Sequence, residues 1–256
     1  MVRAYFFVNR LWTLMSNGLT AVYQGIWLGL LSHAHLSEVT SQHYAKAETY
    51  HSDDYNLNGL FDWEIGIYHR FFRDCQTILL GAAGGGREIV ALSRLDKTVS
   101  AFECQPALLE SARQLLKARS IDAEIILAKP DHVPESFGTF DGLILGWGGY
   151  THIAGRDARI AFLKEFRTHV RAEGPILLSF FVRRKESRMM RWTYRIAKVI
   201  RRIRFSRESV ELGDTLYGPY DHHFKENEVK AELEAAGFEL VYFADKPFAH
   251  AVGRAV

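Results

Sequence analysis

From Thr77 onward the chain alternates two hydrophobic patterns. Short runs of consecutive apolar residues, bounded by glycine, proline or charge, read as strands buried on both faces. Between them lie segments with apolar residues every three or four positions, the period of a helix with one face on a core. The predicted strands are Thr77–Gly81, Val99–Glu103, Glu124–Ala128, Asp141–Gly146 and Ile176–Val182, then Phe238–Phe243 and His250–Arg254, the last two read as antiparallel. The predicted helices are Arg87–Leu95, Pro106 to about Lys117, Arg156–Arg171 and Lys225–Ala236. Pro106 suits a first helical turn, Gly174-Pro175 breaks the third helix, and Gly237 stops the fourth. Such a βα rhythm predicts an α/β domain. Residues 1–70 are helical and aromatic without strand alternation; Trp63, Ile67 and Phe71 keep helical spacing. The expected organisation is a helical cap over 1–70 and an α/β domain over 71–256, interrupted by an insertion over 183–224.

Chemistry concentrates after the first strand. Ile78-Leu79-Leu80 runs into Gly81-Ala82-Ala83-Gly84-Gly85-Gly86, a helical pattern opens at Arg87-Glu88, and the next strand ends in an acid, Glu103. Strand, glycine turn, helix, strand, carboxylate is the layout of a nucleoside-binding βαβ unit. Glycines let the backbone approach a ligand, and the carboxylate can accept from two ribose hydroxyls. The dinucleotide fingerprint fits in neither register, since position 83 is Ala counted from Gly81 and position 89 is Ile counted from Gly84. A phosphate-binding P-loop is excluded because Arg87-Glu88 follows Gly86.

The loop resembles motif I of the class I S-adenosylmethionine-dependent methyltransferases, acid-x-Gly-x-Gly-x-Gly. Aligned on the last glycine, Leu80 falls at the acid, Ala82 at the first glycine, and Gly84 and Gly86 at the others, so two of the signature positions depart. Phe140-Asp141-Gly142-Leu143-Ile144-Leu145 resembles the family's fourth-strand motif, and His223 through Phe238 its late helix and turn into the final hairpin. The resemblance implies a doubly wound seven-stranded sheet, with ligands at the carboxyl ends of the strands. It implies S-adenosylmethionine as cofactor, held by Gly81, Ala82, Gly84, Gly86, Glu103, Asp131, Gly146 and Trp147. Glu103 would hold the ribose, and Asp131 the adenine amino group or only solvent. The additions 1–70 and 183–224 would form the substrate cap, with Tyr50, Tyr55 and Trp63 either closing over the cofactor or packing the cap on the core.

Gly146-Trp147-Gly148-Gly149-Tyr150-Thr151-His152 follows the fourth strand, where the resemblance implies that the transferred methyl group points. Trp147, Tyr150 and His152 would line the reaction centre. Imidazole titrates near neutrality, so His152 is a candidate general base, with a loop histidine of no catalytic role as the alternative. Asp221-His222-His223 is a second candidate, in which Asp221 orients an imidazole that takes a substrate proton, or His223 only packs ahead of the next helix. The expected catalytic set is thus His152, His223, His222 and Tyr150. No Cys/His spacing suggests a metal.

Composition changes this picture at two places. Arg183–Arg207 holds 11 Lys/Arg and one acid, a local net charge of +10 within a chain whose net is +2. Met189, Trp192, Ile196, Ile200 and Ile203 recur there at helical spacing, with Arg191, Arg195, Lys198 and Arg202 mostly on the other side. The segment reads as a basic helix that meets an anionic membrane surface or forms a lid over an anionic substrate; nucleic acid ranks last, since no RNA-binding motif accompanies it. Leu11–Leu31 carries no charge, but its serine, asparagine, threonine, glutamine and three glycines oppose a membrane span and favour amphipathic helices on the domain. Two cysteines, Cys75 and Cys104, make no disulfide framework and point to a cytoplasmic protein, with peripheral attachment to a membrane as the alternative. The expected activity is methyl transfer to an oxygen or nitrogen of a small molecule or a glycan- or lipid-linked metabolite. Aminopropyl transfer lacks the run of acids that would bind a polyamine, and a non-catalytic nucleoside-binding module, or a peripheral enzyme methylating a lipid, are the remaining alternatives.

Overall fold

A computed structural model describes residues 1–256. The first 72 residues are helical: α1 (Val2–Leu30), α2 (His33–Ala45), α3 (Glu48–His51), α4 (Asp53–Leu57), α5 (Asp62–Ile67) and a π-helical turn at Tyr68–Phe72. Then come β1 (Thr77–Gly81), α6 (Arg87–Ser93), β2 (Thr98–Glu103), α7 (Pro106–Ala118), β3 (Glu124–Leu127), β4 (Gly142–Leu145) and a 3-10 turn at Gly149–His152. The chain continues with α8 (Arg156–Arg167), β5 (Pro175–Ser179), β6 (Phe181–Val182), α9 (Arg188–Ile203), β7 (Asp214–Leu216), β8 (Tyr220–Phe224), α10 (Glu226–Ala235), β9 (Phe238–Ala244) and β10 (His250–Ala255).

Seven strands form one sheet in the order β3-β2-β1-β4-β5-β10-β9. The first five are parallel, and β10 runs antiparallel to both β5 and β9. Successive side chains of a strand point to opposite faces, so each apolar run feeds two cores. Ile78 and Leu80 of β1 join Val99, Ala101, Ile89 and Leu109 on one face. Leu79 joins Leu143, Leu145, Phe162, Phe166 and Leu233 on the other. The direction reverses between β1 and β4, which opens a crevice at their carboxyl ends.

The expected fifth strand, Ile176–Val182, is divided. Phe180 leaves the register to donate its amide to the Ala249 carbonyl, and Phe181–Val182 pairs instead with β8. With β7 this makes a second sheet, β6-β8-β7, that the hydrophobic pattern did not predict. His222 and His223, expected ahead of a helix, lie within its central strand.

The cap is fixed by a buried ion network. Arg87, 2% exposed, donates to both oxygens of Glu64 on α5 at 2.7 Å, to Glu88 at 2.7 Å and to the Gly59 carbonyl at 2.8 Å. The glycine loop touches the cap as well, since a Cβ on Gly85 would lie 2.1 Å from the Tyr50 carbonyl. At the far side α1 packs on α9 in parallel orientation, through Gly25 against Ile196 and Gly29 against Ile200. No helix is long and apolar enough to cross a membrane.

Candidate active site

A cavity with an empty volume of ≈ 990 Å³, mouth included, opens at the crevice between β1 and β4. Its floor is the glycine loop and the ends of β2 and β3; its roof is α2 and the start of α3, through Ser37, Thr40, Ser41, Tyr44 and Tyr50. β1 ends at Gly81, and Ala82 and Gly84 then turn with φ of 52° and 55°. A Cβ added at Gly84 would meet nothing within 4 Å, because its position faces the open cavity. Gly81, Gly86 and Gly146, also expected as cofactor contacts, stand outside the lining. A Cβ on Gly81 would strike Phe102, one on Gly146 the Ala82 carbonyl, and Gly86 caps α6 with φ 97° above Ala112. Their glycine identity answers backbone packing beneath the cavity. Leu80, at the position of the motif's acid, is fully buried in the sheet.

Glu103 ends β2 and lines the cavity. Its two oxygens accept from the Gly84 amide and the Gln105 amide, each at 2.8 Å. Burial raises its pKa, and the Gln105 and Gly84 amides pull it part of the way back. The same Gln105 caps α7 by accepting from the amides of Ala107 and Leu108, so strand end, carboxylate and helix start form one hydrogen-bonded unit. Asp131 lines the opposite end with φ 61°, and burial pushes its carboxyl up to about 6. Trp147 closes a further side, its amide donating to Glu88 at 3.2 Å and its ring stacked on Phe248 at 4.7 Å.

Of the expected catalytic residues, the structure brings His152 alone to the cavity. The 3-10 turn after β4 aims it inward, and Thr151 anchors the turn by accepting from the Phe181 amide at 2.8 Å. His152 Nδ1 lies 2.9 Å from the Tyr220 carbonyl and 3.3 Å from Asp221 Oδ1. Both partners are acceptors, so Nδ1 carries the proton and Nε2 is the free base. Nε2 accepts from the Tyr44 hydroxyl at 2.8 Å. Burial raises the Tyr44 pKa far above the ordinary phenol value, so Tyr44 keeps its proton to donate.

The other three serve the interior. Tyr150 is fully buried and donates to Glu232 at 2.5 Å, beneath Arg159. His222 is fully buried and donates Nδ1–H to Asp214 at 2.6 Å. His223 packs against Phe181, and burial lowers its pKa. Asp221, expected to orient one of the two imidazoles that follow it in the chain, has Oδ1 3.3 Å from the Nδ1 of His152 instead. The residues that sequence reading missed are Tyr44, the serines and threonine of α2, and Gln105; Tyr44 meets His152 from 108 positions away, whereas Gln105 before Pro106 carried a local signal as the cap of α7. Within the cap, Tyr50 reaches the cavity, Tyr55 packs on Tyr50, and Trp63 stacks on His250 and Phe248 outside the lining.

No protein-family model and no curated protein sequence matches this chain. Solved structures do. An S-adenosylmethionine-dependent methyltransferase from Methanosarcina mazei superposes with a TM-score of 0.61 at 18% identity, over 77% of this chain and 99% of that one. CalS10, an amino pentose methyltransferase from Micromonospora echinaspora seen with S-adenosylmethionine bound, gives a TM-score of 0.57 at 14% identity over 76% and 91%. The mitomycin 7-O-methyltransferase MmcR gives 0.52 at 16% identity over 72% and 50%. With its strand order, its reversed last strand and the crevice at the β1–β4 switch, the chain has the fold of the S-adenosylmethionine-dependent methyltransferases.

Proposed function

We propose that the protein is an S-adenosylmethionine-dependent methyltransferase that acts on a hydroxyl group of a small molecule. The observation that carries this reading is the convergence, in one cavity, of an open glycine turn, a buried carboxylate at the end of β2 and an oriented imidazole. The cofactor fits the residues present: Glu103, with lone pairs free of its two amide donors, would hold the ribose hydroxyls, the open space beside Gly84 would admit the amino-acid part, and Asp131 would accept from the adenine amino group. S-adenosylmethionine supplies an electrophilic methyl group on a sulfonium. What this chain adds is alignment, exclusion of water by the α2–α3 roof, and a path for the acceptor's proton.

Tyr44 and His152 form that path. An acceptor hydroxyl bonded to the Tyr44 oxygen passes its proton along Tyr44 to His152 Nε2, while Asp221 and the Tyr220 carbonyl stabilise the imidazolium at Nδ1. This pairing favours oxygen over nitrogen as acceptor, since an amine gains little from a base. CalS10 and MmcR are both named for small-molecule acceptors, which supports the same substrate class here.

Calorimetry with S-adenosylhomocysteine tests the cofactor without knowledge of the acceptor. The expected dissociation constant is on the order of micromolar, roughly −8 kcal/mol. Glu103→Ala is expected to weaken it by about 1.5–3 kcal/mol, the scale of hydrogen bonds to a charged acceptor. Gly84→Val is expected to abolish it with the circular dichroism spectrum retained, because the branched side chain occupies the cavity and a β-branched residue is strained at φ 55°, which displaces the loop. Full affinity in both variants would reject the assignment of the cavity. Against a panel of hydroxylated acceptors, His152→Ala is expected to lower turnover by about 10²–10⁴-fold, the range of general-base catalysis, with S-adenosylhomocysteine affinity unchanged.

A further inference from the structure

The parallel packing of α1 on α9 leaves much of α1 without a partner. Gly25 and Gly29 lie against Ile196 and Ile200, which places the start of α9 level with the middle of α1. Residues 2–15 of α1 therefore project past α9, and every one of them is exposed. The projecting part is apolar: Phe7 and Trp12 are each 68% exposed, beside Tyr5, Val8, Leu11 and Met15. A soluble surface rarely leaves so many large apolar side chains contiguous.

The exposed residues are ordered. Tyr5, Val8, Trp12, Met15, Leu19, Val22 and Ile26 follow one another at three- and four-residue steps, so they form one apolar stripe along α1. Arg3, Arg10 and Thr13 lie away from this stripe, and so do the exposed Phe6, Phe7 and Leu14, so the projecting end is apolar on more than one side. On α9, Trp192, Val199 and Ile203 are exposed beside the residues that pack on α1, and continue the stripe across the helix pair. Beyond them, at the rim, stand Arg188, Arg191, Arg195, Lys198 and Arg202, exposed and without a carboxylate partner. No acidic residue occurs before Glu38, and none between Glu186 and Glu208. The face is thus apolar at its centre, aromatic along its length and solely cationic in charge. No residue of Arg183–Arg207 lines the cavity, so this segment is not a lid over the acceptor.

From this arrangement we infer that α1 and the outer face of α9 seat on the surface of an anionic phospholipid bilayer, with α1 lying in the interfacial plane. A helix pair that presents a stripe of aromatic and aliphatic residues flanked by arginines and lysines suits the headgroup–acyl boundary. Trp and Tyr rings are at home at that depth. Neighbouring lysines and arginines are drawn to anionic headgroups. A second copy of the chain is a poorer occupant, since two such faces would oppose cations to cations. The inference is independent of the chemistry assigned to the cavity, which lies on other elements.

The experiment is co-sedimentation of the full chain with vesicles of phosphatidylcholine alone and of phosphatidylcholine with phosphatidylglycerol. The expected result is at least about tenfold higher partitioning onto the anionic vesicles at low salt, falling as salt screens the headgroup charge. Two sets of exposed substitutions separate the contributions. Phe7→Ser, Trp12→Ser and Met15→Ser combined are expected to abolish recovery on both vesicle types. Arg191→Gln, Arg195→Gln and Arg202→Gln combined are expected to remove the preference for anionic lipid. Both sets leave the core untouched, and retention of the wild-type unfolding temperature verifies that. Equal recovery on neutral and anionic vesicles, or absence of recovery on either, overturns the inference. So does a stable dimer in sedimentation equilibrium that the three serine substitutions turn into a monomer without any change in vesicle binding.

Discussion

Asp131 shows how one side chain ties the cavity to pH. Burial raises its carboxyl to about 6 in the free protein, above the usual aspartate value. A donor such as an adenine amino group favours the charged form. Cofactor binding then expels the proton wherever the free protein still carries it, so affinity rises with pH through about 6 and levels off above 7. Between pH 7.5 and pH 5 the dissociation constant of S-adenosylhomocysteine is expected to increase about tenfold, one pH step per proton below the pKa. Calorimetry in buffers of different ionisation heat would register the released proton. Asp131→Asn keeps an acceptor oxygen and is expected to flatten the part of the dependence centred near pH 6; an unchanged profile would remove Asp131 from the binding site. The loops that the sequence singled out all border the cavity, but not every residue named in them lines it. Ala82, Gly84, Glu103, Asp131, Trp147 and His152 line the cavity, whereas Gly81, Gly86, Gly146 and Tyr150 lie just behind it. A loop's position follows from the end of its strand, but the side to which each residue turns follows from dihedral angles set by packing.

At the scale of elements, α1 and α9 form a unit held by small residues. Gly25 and Gly29 let two helix backbones approach, and Arg201 and Arg204 reach across to carbonyls at the end of α1. A Cβ on Gly25 would stand 2.7 Å from Ile196 and 2.9 Å from the Thr193 carbonyl. Gly25→Leu is therefore expected to overpack the seam and cost about 1–3 kcal/mol. Hydrogen exchange should show faster opening of α1, while S-adenosylhomocysteine affinity stays at the wild-type value because α1 contributes nothing to the cavity. Weakened cofactor binding in this variant would mean that the cap moves as one body with α1. The sequence foretold an apolar and a basic side to α9. It did not foretell the second sheet, since β6 has two residues and β7 three, too short for an alternation to register.

For the whole molecule the decisive contact is the one that holds the cap to the α/β core. Glu64 comes from the cap, Arg87 and Glu88 open α6, and Trp147 of the loop after β4 donates to Glu88. Arg87 also lies over the Phe61 ring at 4.1 Å. Arg87→Ala would leave two buried carboxylates without their cation, and a loss of about 3–5 kcal/mol is expected by urea unfolding. Glu64→Gln introduced with Arg87→Met removes one of those carboxylates and keeps the apolar volume, so recovery of much of the loss would identify the unpaired charge as the cause. If Arg87→Ala unfolds at the wild-type denaturant concentration, the cap is held by its apolar contacts alone.

The fold class, the seven main strands and the glycine-loop end of the cavity are local in origin. Apolar runs, a glycine turn and an acid at a strand's end follow from neighbours in the chain, and local neighbours are what a sequence displays. The end that holds Tyr44 and His152 is not local. The Tyr44 hydroxyl meets a histidine 108 positions away, a carboxylate oxygen of Asp221 stands 3.3 Å from that same histidine, and Glu64 meets Arg87 across the cap boundary. Asp221, His222 and His223 are consecutive in one strand, and a strand turns successive side chains to opposite faces. Tertiary structure therefore decided which histidine reaches the cavity, which stretch of the cap roofs it, and that the basic helix stands beside α1 on a different face of the molecule. These choices depend on where separate elements pack, and the period of a hydrophobic pattern fixes only which side of an element is buried.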